Sequence, residues 1–253
     1  MDSSFLILLL LTTLGSVAGL IGGVVFLIKK EWARRLGEYA VPFAAGVLLS
    51  VSILHLIPES AHQMGDSAYV WVLGAFLFSF LFEEYFAHLH HHEHRKGTLK
   101  KATVPLIIFG DTVHNFIDGV AIAAAFLTDP TFGVIVAGAT FLHETPHEIG
   151  DFGLLLSTGW STTKTFIANL LSALATFPGA FLVYFVLGPE AHEKIGALLA
   201  ISAGVFLYLG ASDFLPEVGE NNHGHGVSAR KQILLLLFGV ILMYGLFLLS
   251  PEH

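Results

Sequence analysis

The chain has 253 residues, of which 54% are hydrophobic and 13% charged, with a mean hydropathy of +0.72. Such a composition excludes an ordinary soluble domain and fits a polytopic membrane protein. A net charge of −8 with only 12 Lys and Arg argues against nucleic acid as a partner, and the absence of cysteine excludes disulfides and thiolate metal sites.

Eight apolar stretches are long enough to cross ~30 Å of hydrocarbon as helices. They cover roughly residues 4–28, 41–60, 68–88, 103–127, 131–157, 164–187, 194–216 and 231–249. The first begins at Phe5 with no basic segment before it, which predicts a retained helix rather than a cleaved signal peptide. Gly15, Gly19 and Gly23 form a small-residue stripe on it and predict close helix packing. Prolines fall at span starts (Pro42, Pro105), between spans (Pro130, Pro189) or inside them (Pro58, Pro146, Pro178, Pro216). Lys29, Lys30, Arg34, Arg35, Arg95, Lys96, Lys100, Lys101, Lys164, Arg230 and Lys231 all fall on one side of this eight-span scheme, and only Lys194 on the other. The bias predicts that both termini lie outside and that residues 1–253 form a single all-α transmembrane domain of eight helices.

Two segments echo each other. "LHLIPES" (54–60) closes the second span and "SDFLPEV" (212–218) the seventh, and the two spans run in opposite directions. An inverted repeat, the architecture of many secondary transporters, is one reading of the echo. His55 and Glu59 would then mark an outer entrance, and Asp213 and Glu217 an inner exit. "HLHHHEHRKG" (88–97) opens a cytoplasmic loop, 88–102, whose histidines suit weak metal binding, with "NNHGHG" (221–226) a shorter version on the same face. His62 and His192 read as plain loop histidines.

The fourth and fifth spans carry the informative residues. Asp111, His114 and Asp118 recur at i, i+3 and i+7, with Asn115 beside them. "HETPHEIGD" supplies His143, His147 and Asp151 at i, i+4 and i+8, with Glu144 and Glu148 as a parallel row. At 1.5 Å per residue, His114 and His143 both lie ~16–18 Å from their starting faces, near the bilayer centre. Asp118 and Glu144 would together cost about 5–7 kcal/mol at that depth on the insertion scale. No Lys or Arg is at hand to offset them, so the compensating charge is a proton or an external cation. Mixed imidazole and carboxylate donors suit Zn²⁺ and its first-row relatives, whereas Ca²⁺ and Mg²⁺ prefer all-oxygen shells.

Other readings remain open. Buried polar groups satisfying one another would need no metal. "HETPH" also matches the His-Glu-x-x-His zincin pattern of an intramembrane metalloprotease. Pro146 counts against that pattern because it removes a helix hydrogen bond and crowds the Leu142 carbonyl. A metal-sensing membrane protein is a further alternative.

"HNFIDGVAI" followed by "HETPHEIGDF" resembles the paired signatures of the ZIP (Zrt/Irt-like) metal transporters, and the His-Glu-x-Pro-His-Glu form resembles the branch containing the mammalian zinc importers. "HLIPES" and "SAGVFLYLGASDFLPEV" are similar to the same family. The resemblance implies a non-enzymatic divalent-metal importer with a binuclear centre and an elevator-like movement of the fourth and fifth helices. It implies a first site of His114, Asp118, His143 and His147 and a second of Asn115, Asp118 and Glu144, with Glu148 standing where other branches have glycine. A helix 2 methionine and a helix 6 glutamate of some members have no counterpart in "AAGVLLS" and "NLLSALATF". Zinc is the expected substrate, with cadmium, iron or manganese as competitors. No organic cofactor is expected, the membrane is a plasma or inner membrane, and a homodimer is left open.

Overall fold

The computed structural model describes residues 3–91, 104–187, 191–220 and 227–249, with the side chains of 33–34, 86–91, 106, 217, 219–220 and 249 set aside. All regular structure among the described residues is helical: α1 (Ser3–Gly15), α2 (Ile21–Ile28), α3 (Lys30–Val51), α4 (Ile57–Met64), α5 (Ser67–His91), α6 (Val104–Thr128), α7 (Pro130–Ser157), α8 (Thr162–Ala173), α9 (Thr176–Val186), α10 (His192–Tyr208), α11 (Leu215–Glu220) and α12 (Ala229–Leu249). Among the described residues, six continuous stretches are long and apolar enough to cross a membrane: Lys30–Met64, Ser67–Tyr85, Ile107–Thr128, Thr162–Val186, His192–Phe214 and Ala229–Leu248. Along α5 and α12, large apolar side chains such as Phe78, Leu81, Phe238 and Ile241 are exposed. Water would penalise such surfaces, and a lipid surround does not. The chain is a multi-pass all-α membrane protein.

The remaining two expected spans take other forms. The first is divided into α1 and α2 by a turn, and α1 is apolar but short. The fifth, α7, has 28 residues, about 42 Å of helix, but its ionisable residues lower its apolarity. The helix runs on through Pro146, and the lost hydrogen bond does not end it. Two boundaries also differ from expectation. α3 begins at Lys30, so the basic segment expected as a loop is helical and only Lys29 is extended. The sixth span breaks between α8 and α9, and Ser16 in the α1–α2 turn donates a hydrogen bond to the Ala173 carbonyl at the end of α8 (2.5 Å).

α6 packs on α7, α8, α9 and α1, while α3 packs on α12, and α10 on α4 and α5. The seams between these sets are α3 against α7 and α10 against α6. Two glycine pairs bring backbones together. A Cβ on Gly119 would collide with the Thr176 carbonyl and one on Gly179 with that of Phe116, joining α6 to α9. Gly46 and Gly239 do the same between α3 and α12, against the carbonyls of Leu236 and Phe43. The α1–α2 stripe packs on α7, where a Cβ on Gly19 would lie 2.8 Å from the Glu144 Cβ.

The two echoing motifs share a backbone feature. Each overlaps a π-helical turn that ends just before its proline, Ser52–Leu56 before Pro58 and Leu209–Phe214 before Pro216. The Ile57 N–H reaches the Ser52 carbonyl, and the Leu215 N–H that of Gly210, each five residues back. Widening the helix just before a proline relieves the crowding between its ring and the carbonyl four residues earlier.

Candidate metal centre

α6 and α7 form an antiparallel hairpin joined through Asp129 alone. Its carboxylate accepts the N–H groups of Thr131 (2.8 Å) and Phe132 (3.0 Å), and Pro130 opens the helix. This is a side-chain cap with proline at the first helical position, and it fixes the register of the hairpin. Residues equally far from Asp129 along the chain then stand opposite each other: His114 with Glu144, and Asp111 with His147.

The first group consists of His114, Asp118, His143 and Glu144, all buried, with one donor atom each within 4.8 Å of one another. His114 Nε2 lies 2.9 Å from Glu144 Oε1 and 3.7 Å from Asp118 Oδ2. His143 Nε2 lies 3.4 Å from Asp118 Oδ2, 3.6 Å from Glu144 Oε1 and 3.2 Å from His114 Nε2. His143 Nδ1 is 3.1 Å from the Ala139 carbonyl, which only accepts. Nδ1 therefore carries the ring proton, and Nε2 turns its lone pair to the centre. The Phe206 ring from α10 packs on the same imidazole, 5.4 Å between centroids. Neither Asp118 oxygen has a hydrogen-bond partner. Two imidazole nitrogens and two carboxylates are a donor set that suits a tetrahedral borderline cation.

A second group, Asp111, His147 and Asp151, lies beside the first. His147 Nδ1 is 3.5 Å from Asp151 Oδ2, and the rings of His147 and His114 are 5.3 Å apart between centroids. His147, expected beside His143, thus stands with Asp111 and Asp151. The two histidines of "HETPH" thus fall in different groups. Asn115 is fully buried and turned away from the first group: its Nδ2 donates to Asp111 Oδ1 (2.9 Å), and its Oδ1 lies 3.3 Å from the Thr176 hydroxyl. Glu148 is 1% exposed, with neither oxygen hydrogen-bonded, and belongs to neither group.

A cavity of about 380 Å³ reaches both groups, with Asp111, His114 and His147 on one wall and Glu83, Tyr208 and Asp213 on the other. It lies where α5 and α10 end and α6 begins, the end flanked by the Lys/Arg-rich segments. The Tyr208 hydroxyl donates to Glu83. Neither residue stood out in the sequence, since an acid near a span end reads as an interfacial group. At the other end His55 is buried between Phe132 and Phe247, 6.5 and 5.7 Å between centroids. Glu59 there accepts from Gln63 Nε2 (2.7 Å), which also contacts Thr128 Oγ1 (2.9 Å). The Glu217 side chain, residues 92–102 of the His-rich loop and residues 221–226 lie outside the described residues.

The helices define a multi-pass membrane protein, and its buried imidazole–carboxylate group has the donor types that can hold a metal ion. The comparisons agree: the family model for the ZIP zinc transporters matches residues 3–105 and 100–246, and the chain belongs to that family. It is 41% identical over 145 residues to zinc transporter ZIP10 of Mus musculus, covering 54% of this chain and 17% of that protein. It is 35% identical over 173 residues to zinc transporter ZIP6 of Homo sapiens, covering 66% and 23%. Zinc transporter ZIP4 of Mus musculus is 40% identical over 141 residues, 55% and 20%. The chain spans about a fifth of the length of these relatives.

Proposed function

We propose that the chain carries zinc, and related divalent cations, across its membrane into the cytoplasm. The observation that supports this best is the buried four-donor group at the head of a cavity, in a hairpin that contains no Lys or Arg. Burying two carboxylates without a countercharge costs several kcal/mol, and a divalent ion repays it. The centre is binuclear. One ion is held by His114, Asp118, His143 and Glu144, with Asn115, His147 and Glu148 around it. Metal arrives past His55 and Glu59 and leaves past Asp111, Asp151, Asp213 and Glu217. Both termini face outward across eight spans, and residues 1–253 act as one transmembrane domain in a plasma or inner membrane. Adjacent donors let the ion move stepwise rather than be trapped. Zinc-65 uptake into proteoliposomes, competed by manganese, iron and cadmium, tests the reading. Uptake no faster than into protein-free vesicles would refute it.

A further inference from the structure

The cavity beside the metal centre suits a second kind of occupant. We propose that it is a binding site for amphiphilic amines, molecules with one positive charge on an apolar body, which enter from the bilayer through the gap between α5 and α6. The site goes beyond the transport reading above, because an organic monocation is a different ligand from a metal ion and is recognised largely by other residues. Its composition points to that class. A volume of about 380 Å³ lies within the range of pockets that hold small organic molecules. Phe78, Phe82, Ile117 and Val205 give it apolar walls, Glu83, Asp111 and Asp213 give it three acids, and among the described residues no Lys or Arg lines it. A bare metal ion makes no use of the apolar area. A neutral apolar molecule would cover the acids without a counter-charge.

The layout matches an amphiphile seated in a membrane. On each wall the acid lies nearer the membrane surface than the apolar residues: Glu83 beyond Phe78 on α5, Asp111 before Ile117 on α6, and Asp213 beyond Val205 past the end of α10. A charged head at the surface and an apolar body towards the middle follow the same order. Access is from the side. α5 packs on α10 and α4, whereas the main neighbours of α6 are α7, α8, α9, α10 and α1. The Phe82 and Phe109 rings meet across the gap, 6.3 Å between centroids, and Phe78 and Phe109 are exposed. A Cβ added at Gly110, on the cavity wall, would meet open space. At the head position the Tyr208 hydroxyl donates to Glu83 and holds that carboxylate at the cavity, and the aromatic walls suit a cation. An occupant lying along these walls covers His114 and His147 and closes the way between the four-donor group and the cavity.

The test is binding of tritiated 4-phenylbutylamine to the full chain in lipid nanodiscs, with empty nanodiscs subtracted. One saturable site per chain is expected. 4-Phenylbutanol and 4-phenylbutyrate, alike in shape but neutral and anionic, are expected to displace it about tenfold less well, the weight of one charge-assisted contact. Glu83→Gln keeps an acceptor for Tyr208 and removes the charge; it is expected to weaken the amine by about tenfold while the chain still binds zinc. A diazirine analogue of the amine locates the site without a substitution and is expected to label α5 and α6 around Phe82 and Phe109. No saturable binding, equal displacement by the three compounds, unchanged affinity in Glu83→Gln, or labelling confined to other helices would overturn the proposal. In vesicles that take up zinc-65, saturating amine is expected to slow uptake several-fold, and unaffected uptake would overturn it as well. Amine binding by a chain that takes up no zinc would sink the transport reading and leave the site standing, whereas uptake without amine binding would do the reverse.

Discussion

Asp118 offers the sharpest test of the centre, because stability and function should move in opposite directions. Its carboxylate is fully buried, has no hydrogen-bond partner, and faces His143 and His114 Nε2 at 3.4 and 3.7 Å. In Asp118→Asn the shape is kept and the charge removed. An uncompensated acid at this depth costs roughly 2.5–3.5 kcal/mol, so the metal-free variant should be at least as stable as the metal-free wild type. Metal reverses the order. At a zinc concentration of about 100 times Kd, the wild type gains about 2.7 kcal/mol. For a chain of this size that is a rise of roughly 5–10 °C in Tm. The variant loses an anionic ligand and should gain little. The assay is thermal unfolding in detergent with chelator and with zinc, followed by size-exclusion fluorescence. A variant that melts well below the chelated wild type, or that keeps the full zinc shift, would refute the claim that Asp118 is a costly group retained for metal.

Further outcomes follow from other residues. His143→Glu exchanges a neutral nitrogen for an anionic oxygen and should raise manganese relative to zinc several-fold in paired uptake, since oxygen donors suit the harder ion; an unchanged ratio would remove His143 from selectivity. Zinc affinity should fall about tenfold or more as pH drops through ~6–7, because protons compete for the imidazole nitrogens, and a flat titration would speak against imidazole ligation. Gly119→Ala should cost about 1–3 kcal/mol, since its Cβ meets the Thr176 backbone, whereas Gly74→Ala, with open space around it, should be neutral or stabilising by up to ~1 kcal/mol. Comparing the two melting temperatures checks this, and equal shifts would discount the backbone contact.

Much of the site could be read in the letters. Apolar runs marked out the helices, and the i, i+3, i+4 spacing put Asp111, His114 and Asp118 on one face and His143, His147 and Asp151 on another. The grouping between the two helices was harder. A histidine pair four residues apart can converge on one ion or diverge to two, and side-chain rotamers decide which. Still, the capped joint at Asp129 sets the register, and counting outward from it pairs Asp111 with His147. That signal was available in the sequence. The turn of Asn115 away from the first group was not, because it depends on Thr176, which opens α9 just after a helix break with no proline at its centre. The π-helical turns were equally hidden: hydropathy senses neither a five-residue hydrogen bond nor the carbonyl a proline leaves free.

Those turns bear on how the chain can change length. A π-helical turn amounts to one surplus residue absorbed locally, so that the helix on either side keeps its facing direction. Elsewhere in α3 or α10, losing one residue would rotate everything beyond it by about 100° and carry apolar side chains off the buried face. Inside 52–56 or 209–214, the same loss tightens the turn to an ordinary helix and leaves the flanking faces where they are. Lineages of such chains would then shed or regain single residues next to their Pro-Glu motifs while the rest of each span stays fixed in length. An alignment gap at these two places would record a helix changing pitch, not a misplaced loop.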